Sequence, residues 1–277
     1  MDAQRTILVT GCSSGIGAHC AARLKSEGWR VFATARKPED IEKLRQNGFE
    51  TFYLDYREPQ SIKRCFDEVM KITDGRLDAL FNNGAYSQAG AVEDMPIEAL
   101  REQFDANFFG WHELTLLCVP VMRRQGFGRI IQHSSVLGIV PAPMRGAYNA
   151  SKYAIEGLYL TMGMELEGSG VFLSLIETGP IPSKLAMNAI PYVDKYIDLE
   201  NSFHADNYAK RMKQLRAGGT PAKDGNGAEP VYKQLKRALN DKQPRRHYFV
   251  RVHTHIAGLM KRFLPSGLLY KLLNAWS

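Results

Sequence analysis

Tyr148 and Lys152 of "YNASK" are the first two side chains in the 277-residue chain whose types and spacing suggest a reaction. At i and i+4 they project from one helix face, a turn apart. An ammonium placed there favours phenolate over phenol and lowers the tyrosine pKa, which makes Tyr148 a general acid/base near neutral pH. Ser135 lies thirteen residues upstream in "IIQHSSVLG", where a hydroxyl can hydrogen-bond a carbonyl oxygen and polarise it. Ser134 points to the opposite side if strand alternation holds this far. Near the start, "TGCSSGIG" (Thr10 to Gly17) leads from an apolar run through Gly11, Gly15 and Gly17 into a helical pattern. Free backbone N–H groups and a positive dipole end there suit an anion. Each feature alone also reads as ordinary structure: a surface Tyr–Lys pair, a strand-end turn, a loop of positive φ. Their order along one chain is what makes them a candidate site.

The elements that must hold these residues alternate. "RTILV" from Arg5, "WRVFATA", "FETFYL", "LDALFN", "GRIIQHS" and "VFLSLIE" read as six strands. Helical patterns lie between them, among them a first helix ending at Gly28, then Pro38 to Gln46, Pro59 to Ile72, Pro96 to Ala106 and Tyr148 to Glu167. Repeated βα units predict an α/β fold, a doubly wound parallel sheet with ligands at the carboxyl ends of the strands. After strand six the rhythm stops. Residues 182–228 show no clear strand, and the position suits a substrate lid, with packing on a neighbouring subunit as the alternative. "PVYKQLKRAL" and "RHYFV" then restore a helix and a short strand, so 1–277 reads as a single domain.

Composition excludes several classes. Hydrophobic residues make up 44%, ordinary for a globular protein. No apolar run is long enough for a bilayer span, and the chain enters strand one without a signal peptide, so a cytoplasmic location is expected. Cys12, Cys20, Cys65 and Cys118 form no CxxC pair and have no histidine at ligand spacing, so they read as reduced apolar residues and no metal site is expected. The net charge of +7 is spread along the chain without a continuous basic helix face, which argues against nucleic acid.

Taken together the motifs resemble the short-chain dehydrogenase/reductase family, from strand one to about residue 183. The matching pieces are Thr10 to Gly17, "NNGA" (Asn82 to Ala85), Asn107, Ser135, and Tyr148 with Lys152. "TGCSSGIG", "FFG" and "LSLIETGPI" most resemble the branch of 17β-hydroxysteroid dehydrogenases, retinol dehydrogenases and bacterial aldehyde reductases. The resemblance implies a Rossmann-type three-layer sandwich, a dinucleotide pyrophosphate over the glycines with Ser13, Ser14 and Ile16, and a homodimer or homotetramer formed through the helix of Tyr148. It also implies roles. Tyr148 passes a proton to the substrate oxygen, Lys152 lowers its pKa and holds the nicotinamide ribose, and Ser135 positions the carbonyl. Asn107 holds a water for proton relay, Asp55 contacts the adenine, Asn83 and Gly84 line the cofactor, and Gly179, Ile181 and Ser183 touch the nicotinamide. Two positions depart from the family pattern: Asn-Asn-Gly-Ala replaces Asn-Asn-Ala-Gly, and Thr178-Gly179 replaces Pro-Gly.

Cofactor and substrate class follow from local chemistry. At the end of strand two, where an acidic residue would bind ribose hydroxyls, the chain has Ala35 followed by Arg36 and Lys37. A guanidinium grips a 2′-phosphate, so NADP(H) is expected. The lid offers Leu185, Met187, Ile190, Tyr192, Val193 and Phe203, and Met144 faces the same space, which suits a lipophilic aldehyde, retinoid or steroid-like carbonyl. Lys184 and Lys195 could instead recognise a carboxylate, but lysines in a lid are more often solvated. A non-catalytic NADP-sensing module is the rival reading, and retention of Ser135, Tyr148, Lys152 and Asn107 together favours the enzyme. In the tail, 251–277, Ile256, Leu259, Met260, Phe263 and Leu264 share one helix face opposite Lys261 and Arg262. A flap over the crevice or a subunit is preferred there to contact with a membrane surface.

Overall fold

The computed structural model describes residues 4–181, 185–217 and 227–276. Seven strands are present among them: β1 (Thr6–Val9), β2 (Arg30–Ala35), β3 (Glu50–Tyr53), β4 (Ala79–Asn82), β5 (Gly128–Ser135), β6 (Val171–Thr178) and β7 (His247–Val250). They form one sheet in the order β3-β2-β1-β4-β5-β6-β7. Every pairing is parallel. Strand order reverses between β1 and β4, so the loops leaving these two strands diverge and open a crevice at their carboxyl ends.

The helices are α1 (Gly15–Ser26), α2 (Pro38–Gln46), α3 (Pro59–Ile72), α4 (Ile97–Phe104), α5 (Gly110–Arg124), α6 (Gly146–Glu165), α7 (Leu185–Asn188), α8 (Ile190–Tyr196), α9 (Ala205–Arg216), α10 (Glu229–Asn240), α11 (Val252–Phe263) and α12 (Ser266–Trp276). Among the described residues no helix is long and apolar enough to cross a membrane. Strand alternation sorts the core onto two faces. Ile7 and Val9 pack with Cys20, Leu24, Ile41 and Leu235 from α1, α2 and α10. Leu8 between them packs with Ile62, Trp111 and Ile155 from α3, α5 and α6. All four cysteines are buried and free.

Three sequence expectations change. The helix expected over 96–106 is α4, which runs through a five-residue π turn (Asp105–Phe109) directly into α5. Gly110 permits that path, because a Cβ there would overlap the Tyr56 carbonyl oxygen. Secondly, the single apolar face expected in the tail splits. Ala257, Met260 and Leu264 pack inward on Val140, while Ile256, Leu259 and Phe263 are exposed and the Lys261 ammonium lies over the Tyr153 ring. Thirdly, Phe203, expected in the lid wall, is 94% exposed.

Residues 185–216 cross above the carboxyl ends as α7, α8 and α9, around a small core of Val193, Ile197, Tyr208, Met212 and Leu215 against Ala89 and Ala91. Polar ties fasten this segment to the body. Lys195 Nζ and Tyr196 Oη both donate to Glu102, and Ser202 and Tyr208 both donate to Asp94.

Candidate active site

Helix α6 starts at Gly146, so Tyr148 falls in its first turn and Lys152 in the next, facing the end of β5. Both are buried, at 8% and 1% exposure. Ser135 ends β5; its Oγ accepts from Leu137 N at 3.1 Å and donates to the Thr178 carbonyl at 3.5 Å. Burial pushes the Tyr148 hydroxyl up, while the Ser135 hydroxyl and the Arg145 charge pull it back. Lys152 Nζ lies 5.6 Å from the centroid of the Tyr148 ring. Its Nζ donates to the His133 carbonyl at 2.7 Å and sits over the Trp111 ring, 4.3 Å from the centroid. Burial pushes this amine down to about 7, with Glu156 acting against it. The expected lowering of Tyr148 is not a feature of the chain alone: burial outweighs Ser135 and Arg145, and the hydroxyl is raised.

His133 had carried no expectation. Burial, then Lys152, pushes its imidazole down to about 3, so it is neutral. Nδ1–H donates to Asn83 Oδ1 at 2.9 Å, and Nε2 accepts from Thr178 Oγ1 at 2.8 Å. Asn83 Nδ2 in turn donates to the Thr10 carbonyl at 2.9 Å. One neutral ring therefore couples the ends of β1, β4, β5 and β6. Asn107 lies in the π turn, fully buried, with its amide clamped on Tyr86: Oδ1 accepts from the Tyr86 N–H at 3.1 Å and Nδ2 donates to its carbonyl at 2.9 Å. A π turn at this place lets Asn107 face the crevice from inside a helix.

The glycine loop divides its work unevenly. A Cβ on Gly11 would lie 2.5 Å from Gly84 Cα, and one on Gly17 would overlap the Gly11 carbonyl and lie 2.6 Å from Asn83 Nδ2. These two glycines are needed by the protein itself. At Gly84, where the family pattern has alanine, a Cβ would lie 3.3 Å from Gly11 N and Cα, a tight contact between the two loops. Gly15 differs, with φ of +60° and nothing within 4 Å of where a Cβ would be. Ser14 is extended, gives α1 no side-chain cap, and no acidic residue occupies the first turn. The first N–H groups of α1 beside Ser13, Ile16 and Gly17 therefore lack a capping side chain, a cradle that fits a phosphate pair.

Arg36 and Lys37 follow β2 on the exposed rim. Arg36 Nη1 is 3.8 Å from Asp55 Oδ2, and Lys37 lies 3.8 Å from Glu39. Asp55 is buried and held by Arg57 through both carboxylate oxygens, at 2.7 Å and 3.1 Å. Burial alone would raise its carboxyl, but Arg57 and then Arg36 outweigh it and hold it below the usual range. Gly179 is buried, and a Cβ there would lie 2.9 Å from Thr254 Oγ1; Ile181 packs on the first core face. Ser183 and Lys184 lie outside the described residues. Leu185 opens α7. Met144 has φ of +60° and packs against the lid core. Tyr192 stacks on Tyr86 with centroids 4.0 Å apart.

Two charged groupings had no local sequence signal. Ser134 donates to Glu156, and His247 to Glu177, in a partly buried knot in which only Glu177 is fully shielded. Burial, then Glu177, pushes the Glu156 carboxyl up to about 7. The carboxylates and imidazole present ligand atoms within 4.8 Å of one another. The second grouping is Arg145, immediately before α6, and Arg211 on α9. Burial, then Arg211, pushes the Arg145 guanidinium down to about 10.

Comparison with known proteins fits this geometry. The short chain dehydrogenase family model matches residues 5–192. An uncharacterized oxidoreductase of Escherichia coli, YbbO, is 37% identical over 271 residues, covering 98% of this chain and 94% of that protein. Human 17-beta-hydroxysteroid dehydrogenase type 1 is 31% identical over 280 residues, covering 95% and 80%. A short-chain dehydrogenase structure from Streptomyces avermitilis superposes with a TM-score of 0.78 at 24% identity, covering 98% and 94%, and so shares the fold. The chain is an oxidoreductase of the short-chain dehydrogenase/reductase family.

Proposed function

We propose that the protein interconverts a carbonyl and an alcohol on a lipophilic substrate, with NADP(H) as cofactor and Tyr148 as general acid/base. The observation that carries this reading is the convergence of Tyr148, Ser135 and Lys152 at the carboxyl ends of β5 and β6. A nicotinamide dinucleotide supplies the hydride when bound. The uncapped start of α1 and the open side of Gly15 hold its phosphates, and Arg36, half-exposed at the rim, grips the 2′-phosphate. Ser135 donates a hydrogen bond to the substrate oxygen and orients it. Tyr148 Oη gives that oxygen a proton in reduction and takes it back in oxidation. Lys152, held by the His133 carbonyl and poised near neutrality, returns the proton to Tyr148, and Asn107 with Tyr86 fixes the wall behind it. Residues 182–228 serve as the lid, with Met144 and Leu185 lining the substrate space. The reading includes a homo-oligomer through α6, which leaves Met164 exposed.

The test is NADPH oxidation with a homologous series of aldehydes from acetaldehyde to dodecanal. Efficiency is expected to rise with chain length, because each buried methylene contributes about 0.8 kcal/mol. Tyr148→Phe is expected to lower kcat by about two orders of magnitude or more with NADPH affinity kept. Flat efficiency along the series, or reduction by Tyr148→Phe at a wild-type rate, refutes the reading.

A further inference from the structure

Two cations of the lid, Lys195 and His204, lie against carboxylates, whereas Arg145 and Arg211 are partly buried without one among the described residues. Lys195 is 3.0 Å from Glu102, and His204 lies against Glu93. Arg145 has a single side-chain hydrogen bond among the described residues, from Nη1 to Ser87 Oγ at 3.1 Å. Ser87 is fully buried and neutral, so it satisfies a donor but balances no charge. Arg211 Nε is shielded from solvent and has no hydrogen-bond partner. No acidic side chain pairs with either arginine among the described residues.

The backbone brings the two together beside Tyr148. Arg145 is one turn before Tyr148 and bridges to Gly90. Gly90 N donates to the Met144 carbonyl at 3.1 Å, and a Cβ on Gly90 would lie 3.5 Å from Tyr208 Oη. Tyr208 Oη accepts from Ala91 N and donates to Asp94, which pins α9 over this strip. Arg211 follows Tyr208 by one turn of α9, and Met212 beside it packs in the same lid core as Met144. Two like charges, partly removed from water and without a counter-ion, destabilise an empty fold. A planar guanidinium pair of this kind matches an oxyanion, whose oxygens accept forked hydrogen bonds.

We propose that Arg145 and Arg211 form a subsite for the anionic headgroup, a carboxylate or a phosphate monoester, of a substrate that is otherwise apolar. This rests on the reading of Tyr148 as the acid/base, which places the reacting carbonyl one helical turn from Arg145. The substrate is then an amphiphile: its chain lies along the apolar lid core and its charged end closes the arginine pair. Short keto acids lack the chain and neutral aldehydes lack the anion, so each makes part of the contact.

Calorimetric binding of decanoate, decyl phosphate and 1-decanol to the NADP-loaded protein tests the subsite without turnover. Wild type is expected to bind one or both anions about tenfold or more tightly than decanol, as charge-assisted hydrogen bonds require. The preferred anion identifies the headgroup. The preference is expected to fall to within about twofold in Arg145→Gln/Arg211→Gln. Arg211→Lys is expected to keep part of it. Arg211→Gln alone, on the lid helix, carries the test if Arg145→Gln does not fold, and is expected to lose at least half of the preference in logarithmic units. Tyr148→Phe is expected to keep the full preference, because binding needs no proton transfer. Equal affinity of wild type for anions and decanol overturns the subsite, as does an anion preference that survives both glutamine substitutions. Absence of aldehyde reduction by wild type, with the anion preference intact, refutes the reading of Tyr148 and leaves the subsite standing.

Discussion

Gly17→Ala and Gly15→Ala, two residues apart, are expected to fail in different ways. At Gly17 a methyl overlaps the Gly11 carbonyl oxygen and lies 2.6 Å from Asn83 Nδ2, and a backbone carbonyl cannot swing aside as a side-chain end can. Overpacking of this kind costs about 3 kcal/mol, the upper end of the usual range. Alanine recovers about 1 kcal/mol of helix propensity, since Gly17 lies inside α1. The net loss of about 2 kcal/mol corresponds to a Tm about 4–8 °C lower in a domain of this size. At Gly15 nothing lies within 4 Å of the added methyl. The φ of +60° costs alanine about 1 kcal/mol, and the stiffer unfolded chain returns about half or more of that. Gly15→Ala is therefore expected to melt within about 2 °C of wild type. Its defect is in binding, since the methyl occupies the space assigned to the phosphates. Thermal melts with and without NADP separate the two. Gly17→Ala starts lower, whereas Gly15→Ala starts near wild type and loses most of the NADP-induced rise. A Gly15→Ala protein that melts well below Gly17→Ala, or one with an unchanged NADP response, refutes the division of labour in the loop.

Arg36→Asp is expected to invert the cofactor preference, raising the NAD(H) to NADP(H) ratio of kcat/KM by about tenfold or more, measured with both cofactors under one set of conditions; equal kinetics of wild type with both cofactors counts against the 2′-phosphate role. Glu156→Gln is expected to stabilise the protein at pH 8 by about 1 kcal/mol or more and to have no such effect near pH 4.5, read by urea denaturation at each pH. Wild-type Glu156, raised from 4.5 to about 7, keeps its proton while the unfolded chain releases it, so its contribution falls as pH rises between those values. The amide still accepts from Ser134, and Glu177, His247 and Lys152 remain in place around it. A gain of the same size at both pH values would assign the effect to packing instead.

The strands, the prolines that open α2 and α3, and the Tyr148–Lys152 pair were legible because each is a local pattern of period two, period 3.6 or turn chemistry. The four-residue spacing placed both side chains at the crevice, but it could not show that Lys152 would bond the His133 carbonyl, nineteen residues away on β5. The knot of Glu156, Glu177 and His247 joins α6, β6 and β7, so no window of sequence contains it. Arg145 and Arg211 were hidden for the same reason: each is unremarkable until Gly90 and Tyr208 bring α9 to the start of α6. The tail shows a further limit. Residues 256, 259 and 263 and residues 257, 260 and 264 form adjacent stripes of one helix, and hydropathy alone favours the larger side chains. The small Ala257 faces inward, in one cluster with Val140, Leu269 and Leu273.

The charge balance along α6 follows from burial more than from the pair that first drew attention. Tyr148 and Lys152 are both removed from water, so each is driven towards its neutral form, the phenol upward and the amine down to about 7. At Tyr148 the Ser135 hydroxyl offsets part of this, and two charged groups act from one turn outside the pair on either side. Arg145 precedes Tyr148 and lowers it; Glu156 follows Lys152 and raises it. Burial therefore keeps Tyr148 protonated and brings the Lys152 amine near neutrality, so a proton that the amine passes on is one the phenolate takes up readily. An oxyanion seated on Arg145 would neutralise part of the charge that opposes burial at Tyr148, raising the phenol's hold on its proton further while the substrate is bound. Such a change favours protonated Tyr148 in the bound complex, the form that donates to a carbonyl oxygen.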